Sequence, residues 1–165
     1  MQELRVFIEA DSTVRGEKLS AWFELPINEY EFMGKLGVEI DSNDYRITEK
    51  ELPFADDVGE DTTVDRLNEL YQMFHDLPSD IQAEYAQFQC HFSNLDELYE
   101  QRNDILHYNG CFTMLDVARL ILEENPAFRA LSEDCVRYFD LEAYGQHLYD
   151  NGKFLETEHG IYELP

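Results

Sequence analysis

Residues 51–78, ELPFADDVGEDTTVDRLNELYQMFHDLP, change their period part-way along, and that change decides the fold class. Up to Gly59 the apolar residues fall in a short cluster, Leu52, Pro53 and Phe54, that reads as the end of a packed block. After it, Val64, Leu67, Leu70, Tyr71 and Phe74 recur every three or four residues, the spacing of a helix with one apolar face. Asp61 or Thr62 is placed to cap that helix and Pro78 to stop it. A strand-rich block therefore meets a helical one near residue 60, which predicts an α+β chain.

Working back from the junction, Leu4, Val6 and Ile8 alternate with Arg5, Phe7 and Glu9 at the period of a half-buried strand. A second strand fits Leu19 to Leu25, and DSTVRGEK between the two has turn composition. Asn28 with Glu31 opens a short helix that Gly37 ends, and Tyr45 to Ile47 supplies a third strand. Working forward, Ser79 with Gln82 opens a second helix of the middle block, carrying Ile81, Tyr85 and Phe88. Asn94 with Glu97 opens a third, carrying Leu95, Leu98, Tyr99, Ile105 and Leu106. Asn109-Gly110 is a turn, Thr113 with Asp116 caps a helix that ends before Pro126, and Ser132 to Tyr149 is helical with a break near Asp140. Gly152 and Gly160 bracket KFLETEH ahead of IYEL, a terminal hairpin. The expected organisation is three small subdomains: a sheet with one helix over 1–60, a helical middle over 61–104, and a mixed helix and hairpin block over 105–165.

The charge balance is lopsided, with 36 Asp and Glu against 12 Lys and Arg and a formal net charge of -24. Ten Tyr and eleven Phe supply the apolar area that disordered acidic chains lack, so the chain is expected to fold. Self-repulsion destabilises a compact state, and solubility alone needs a net charge of only roughly 2 to 8. Adaptation to salt is one explanation of the excess; a partner with a large basic surface is another. Three cysteines without CxxC spacing, no basic and apolar leader, and no run of about 18 apolar residues point to a reduced, cytoplasmic setting with buried thiols and no membrane span.

Catalytic and metal chemistry find little support in these motifs. A calcium loop with Gly59 as its sixth residue would have to start at Phe54, which offers no oxygen ligand from its side chain. His107 and Cys111 stand four apart, but the Asn-Gly turn between them breaks the helix that would align them. No HExxH, paired CxxC or GxSxG occurs, and Glu49-Lys50 is only a fragment of a nuclease-like cluster. No cofactor is implied and an enzyme is not expected. Lys and Arg are scattered, so direct nucleic-acid binding is not expected either.

What remains is the placement of the acids. In the junction stand Asp56, Asp57, Glu60 and Asp61; off the apolar stripes of the middle helices stand Asp65, Glu69, Asp76, Asp80, Glu84, Asp96, Glu97, Glu100 and Asp104. Several pairs are three or four apart, on one helix face about 5 to 6 Å from each other at the Cβ, with few cations to offset them. Ordinary solvent faces mix signs. Duplex DNA carries one charge per ~1.7 Å of axis, so the excess corresponds to roughly 40 Å of duplex, about a dozen base pairs. Imitation of a short duplex, doubled in a symmetric dimer, is physically permitted. An acidic chaperone or inhibitor of some other basic nucleic-acid-binding protein, or a hydrolase using a divalent metal, would use the same composition differently.

AWFELP at 21–26, YRITEKELPF at 45–54, NELYQMFHDLP at 68–78, FSNLDELYEQRNDI at 92–105, LDVARLILEE at 115–124, YFDLEAYGQHL at 138–148 and HGIYEL at 159–164 together resemble, in order and spacing, the ArdA antirestriction family. The resemblance implies an elongated dimer of three small subdomains, carried by plasmids and conjugative transposons. It implies a DNA mimic that occupies the DNA-binding groove of type I restriction-modification enzymes, on their specificity and methyltransferase subunits. The mimicking groups are then surface carboxylates on all three subdomains, with no catalytic site. YNGCFTML at 108–115 has no carboxylate, and family subunits pair through the third subdomain. Cys111, Phe112 and Met114 beside the tight turn are either core or an exposed apolar patch; the family's pairing implies the patch, with Tyr108, at the dimer contact.

Overall fold

The computed structural model describes residues 4–14 and 16–165. Its secondary structure is mixed helix and small antiparallel sheet, the α+β class. The chain divides into two compact units, Met1–Tyr99 and Glu100–Pro165.

In the first unit β1 (Arg5–Val14) lies between β2 (Glu17–Glu24) and β3 (Tyr45–Glu51), antiparallel to both. Val6, Ile8 and Ala10 of β1 are buried on one face, as period two requires. The strands run further than their apolar alternation: most of DSTVRGEK is strand, with a register shift between Glu9 and Thr13, and β3 continues through four exposed polar residues to Glu51. In β3, backbone pairing continues the ladder where the side chains are exposed. Arg15 lies outside the described residues. Gly16 beside it has φ +85, a left-handed conformation suited to glycine.

Helix α1 (Glu29–Leu36) covers the sheet through Phe32 and Leu36. The Phe32 ring packs at 5.5 Å on Phe23 and edge-on at 4.9 Å on Tyr45. Asn28 accepts from the Tyr30 and Glu31 amides at the helix start, and Gly37 closes it at φ 67, as its sequence signature predicts.

Helix α2 (Val64–Asp76) buries Val64, Leu67, Leu70 and Phe74 of the predicted stripe and leaves Tyr71 half-buried. Its cap is Thr63, not the expected Asp61 or Thr62; the Thr63 hydroxyl accepts from the Arg66 amide. The Tyr45 hydroxyl accepts from the Val64 amide at 3.0 Å. Asn68 bonds both backbone groups of Ile27, at 2.8 and 3.2 Å. These bonds place α2 in the same unit as the first sheet.

The expected second middle helix is two short ones, α3 (Ser79–Ala83) and α4 (Tyr85–Gln89), because Glu84 leaves helical angles at φ -108, ψ 24. Ile81, Tyr85 and Phe88 are buried nonetheless. Ser79 caps nothing: α3 starts behind Pro78, and Gln82 instead donates to the His75 and Leu77 carbonyls. The third, α5 (Leu95–Gln101), starts where Asn94 and Glu97 predict, with Asn94 accepting from the Glu97 amide.

It ends early. Ile105 and Leu106 are not helical: a short 3-10 turn (Arg102–Asp104) is followed by β4 (Leu106–Tyr108), whose residues pair with Glu163, Tyr162 and Ile161. A helical apolar pattern has yielded to backbone pairing with a strand more than 50 residues away.

In the second unit the sheet order is β4-β6-β5, with β5 (Phe154–Thr157) and β6 (Gly160–Glu163) forming the predicted hairpin. Helices α6 (Met114–Glu123) and α9 (Leu141–Asn151) cover it, around a core of Cys111, Val117 and Ile161. Thr113 and Asp116 form a reciprocal capping box on α6, and Asp140 caps α9 at the predicted break. Two short helices join them, α7 (Pro126–Arg129) and α8 (Glu133–Arg137). The first falls where the sequence reading places no helix, although Asn125-Pro126 is a legible start, with Asn125 accepting from the Ala127 and Phe128 amides. The expectation of buried thiols holds for Cys111 only; Cys90 and Cys135 are exposed, at the end of α4 and on α8, where no core reaches. Among the described residues no helix is long and apolar enough to cross a membrane.

Candidate partner-binding surface

Among the described residues no charged side chain is fully buried, so every described acid reaches solvent in part. Of the thirteen expected acids, Asp56, Glu60, Asp61, Asp65, Glu69, Asp76, Glu100 and Asp104 are exposed. Asp57, Asp80, Glu84, Asp96 and Glu97 are half-buried.

Several of these carboxylates already have partners. Asp56 and Asp57 sit in a 3-10 turn (Ala55–Asp57) that acts as a small hub. Asp56 accepts from the Gln89 side-chain amide at 2.6 Å, at the end of α4, and Asp57 accepts from the Leu95 amide at 3.2 Å, at the start of α5. Burial pushes the Asp57 carboxyl above its ordinary pKa; the Leu95 bond and the Arg66 charge oppose that, while Asp96 and Asp56 add to it. Glu97 accepts from the Ser93 amide at 2.5 Å, which with Asn94 secures the same helix end. Asp76 accepts from Gln72 and Glu84 from Gln87, both within about one helical turn.

Arg66 joins two helices. Its Nη2 meets Asp96 Oδ2 at 2.5 Å and its Nη1 meets Glu69 Oε2 at 3.2 Å, and these bonds hold the guanidinium above its ordinary pKa. Between Lys50 and Arg102 it is the only Lys or Arg, against thirteen Asp and Glu.

Reading the middle helices alone missed acids elsewhere that are equally exposed. Glu29, Glu39, Asp41 and Asp44 lie on the first unit, and Glu123, Glu142, Asp150 and Glu158 on the second. The same periodicity test, applied before residue 50 and after residue 105, would have found them.

The four residues expected at a dimer contact differ in environment. Cys111 is in the core, with Tyr108 and Met114 packed on it half-buried. The Tyr108 hydroxyl donates to Glu163 Oε2 at 2.6 Å. Phe112 alone projects, 61% exposed beside the Gly110 turn. The second unit also exposes Leu131, Val136 and Tyr138 around α8, which the sequence reading did not single out.

Among the described residues no group of three or more His, Cys, Asp or Glu is placed to hold a metal ion. A cleft of about 690 Å³ in the first unit, bordered by Leu25, Pro53, Tyr71, Phe74 and His75, has none of the thirteen acids on its wall. A smaller cleft bordered by Asn43, Tyr45 and Thr63 takes one of them, Asp61, so neither cleft gathers several of these acids. No curated protein matches the chain significantly. Residues 14–163 of the 165, which include the second sheet, every helix described above and most of the first sheet, match the family model for Antirestriction protein (ArdA). The chain therefore belongs to the ArdA antirestriction protein family.

Proposed function

We propose that the protein is a homodimeric DNA mimic that occupies the DNA-binding groove of a type I restriction-modification enzyme, on its specificity and methyltransferase subunits. Family membership makes it an antirestriction protein; the mechanism is our reading. The observation that carries it is a net charge of -24 with carboxylates that reach solvent on both units. Carboxylates stand in for phosphates before the Lys and Arg of the groove. Ions released from that groove drive association, so affinity falls steeply with salt. The protein acts as a stoichiometric inhibitor in the cytoplasm, without cofactor, catalysis or direct nucleic-acid contact, in defence of incoming mobile DNA.

Within this reading, the chain works as three mimicking segments, 1–60, 61–104 and 105–165, with the dimer contact at Tyr108, Cys111, Phe112 and Met114. Phe112, the exposed member, is its outermost group; Phe112→Asp should shift light scattering from dimer to monomer, and an unchanged dimer removes that contact from the proposal. The test of mimicry is competition on a purified type I methyltransferase core. Duplex oligomer should displace the protein fully and reciprocally; a ternary complex of enzyme, duplex and protein would refute it.

A further inference from the structure

A surface built to attract Lys and Arg should gain nothing from an arginine of its own, yet Arg66 stands alone amid thirteen acids between Lys50 and Arg102. Its side chain is not idle. It spans from α2 to α5, taking Glu69 through Nη1 and Asp96 through Nη2. Asp57, from the 55–57 turn, feels the same guanidinium while holding the Leu95 amide at the start of α5. Acids from three separate segments are thereby referred to one planar group. A guanidinium suits this because its fork holds two carboxylates at fixed angles, which a compact ammonium does not.

Duplex phosphates have their spacing set by covalent bonds. Carboxylates on separate helices do not, and each flexible side chain that must be ordered at binding weakens the complex. Arg66 engages one oxygen each of Glu69 and Asp96. A carboxylate accepts at both oxygens, so each retains one for a partner's Lys or Arg.

We propose that Arg66 is a positioning residue: it sets the spacing of the Glu69 and Asp96 carboxylates across two helices so that they meet the partner's basic groove already ordered. This rests on the DNA-mimic reading above. It makes a prediction opposite in sign to simple charge counting. Removing Arg66 makes the protein more negative, which by charge alone should tighten binding; without the clamp, binding should weaken.

The experiment compares wild type, Arg66→Ala, Arg66→Lys and Lys18→Ala by competition with duplex oligomer on the methyltransferase core, across a salt series. Lys18 is an exposed cation on β2 outside the clamp, so Lys18→Ala makes the same change of charge. Arg66→Ala should bind several-fold more weakly than wild type, Arg66→Lys should be intermediate, and Lys18→Ala should bind as well or better. The log–log salt slope of Arg66→Ala should be shallower than that of wild type, because fewer carboxylates meet cations of the groove, a readout that reduced stability alone does not move. Circular dichroism at the assay temperature establishes that the variants are folded. Should Arg66→Ala not fold, Arg66→Lys carries the comparison, and equality with wild type overturns the inference. Arg66→Ala binding as tightly as Lys18→Ala also overturns it. A wild-type protein that duplex fails to displace sinks the DNA-mimic reading itself and takes this inference with it, so the two failures are distinct.

Discussion

Gly34 and Gly145 are both helical, in α1 and α9, and the same substitution at each should have opposite effects. A Cβ on Gly145 would lie 2.9 Å from the Met114 carbonyl oxygen and 3.1 Å from its carbon, at the start of α6. Carbon–oxygen contacts of this kind settle at about 3.3–3.6 Å, so α9 must retreat from α6 by roughly half an ångström. Backbone atoms on the opposing side cannot rotate out of the way. A gap of about 0.5–1 Å forfeits a quarter to a half of the dispersion energy across a packed face, and forced overpacking typically costs about 1–3 kcal/mol. Alanine regains about 0.5–1 kcal/mol over glycine inside a helix. The net expectation for Gly145→Ala is a loss of about 1–2 kcal/mol. At Gly34 a Cβ meets nothing within 4 Å, so Gly34→Ala should gain about 0.5–1 kcal/mol. Urea unfolding followed by far-ultraviolet circular dichroism reads both; emission from Trp22, on β2 in the same unit as Gly34, reads the first unit separately. The comparison is of midpoints at unchanged slope. Gly145→Ala matching or exceeding wild type would refute the close approach of α9 to α6.

Tyr108 and Tyr85 have phenols pushed up chiefly by burial, with the Glu163 bond adding to the first. The folded state holds those protons more tightly than the unfolded chain, whose phenols ionise near about pH 10, so stability is present below that pH and lost as pH rises above it. Their tyrosinate absorbance should appear only together with loss of circular dichroism; earlier ionisation would contradict the burial. Thr113→Ala, which breaks the capping box on α6, should lower stability by about 0.5–2 kcal/mol in the same urea assay. Asp116 has its carboxyl held below the usual range, first by the Phe112 amide; that contribution is present above the unfolded value of about 3.9 and fades as pH falls through the lower folded value, and Asp116→Asn should remove this acid dependence. Asp57 is shifted the other way by burial, so the folded chain tolerates its ionised form less well than the unfolded chain does, and its effect on stability improves as pH falls through the raised value. Asp57→Asn can still accept from the Leu95 amide and should melt no lower than wild type at pH 7 while flattening that acid branch; a clear loss would show the ionised form to be needed.

The helix starts were the most legible part of this chain. Asn28, Asn94, Thr113, Ser132 and Asp140 all bond their own helix ends, because a cap is decided within about four residues of sequence. Helix ends and strand lengths were less so. Nothing local tells Leu106 to leave a helix; the strand it pairs with lies at the far end of the chain. β1 likewise continues past its apolar alternation because a partner backbone runs beside it.

For the surface, the sign and excess of charge and the side chains that stay out of the core were readable along the chain, since both follow from composition and period. Tertiary structure decided what each acid is free to do. Asp57 and Glu97 are spent on amides at the start of α5, Glu69 and Asp96 share a guanidinium, and Asp65 and Asp61 stand open, although all six look alike in the sequence. It also separated YNGCFTML into a core thiol, two packed side chains and one projecting ring. The physical reason is the same in both cases. Charge and hydropathy belong to a residue, but hydrogen-bond partners and burial belong to a place, and residues as distant as Asp57 and Leu95 share one only after folding.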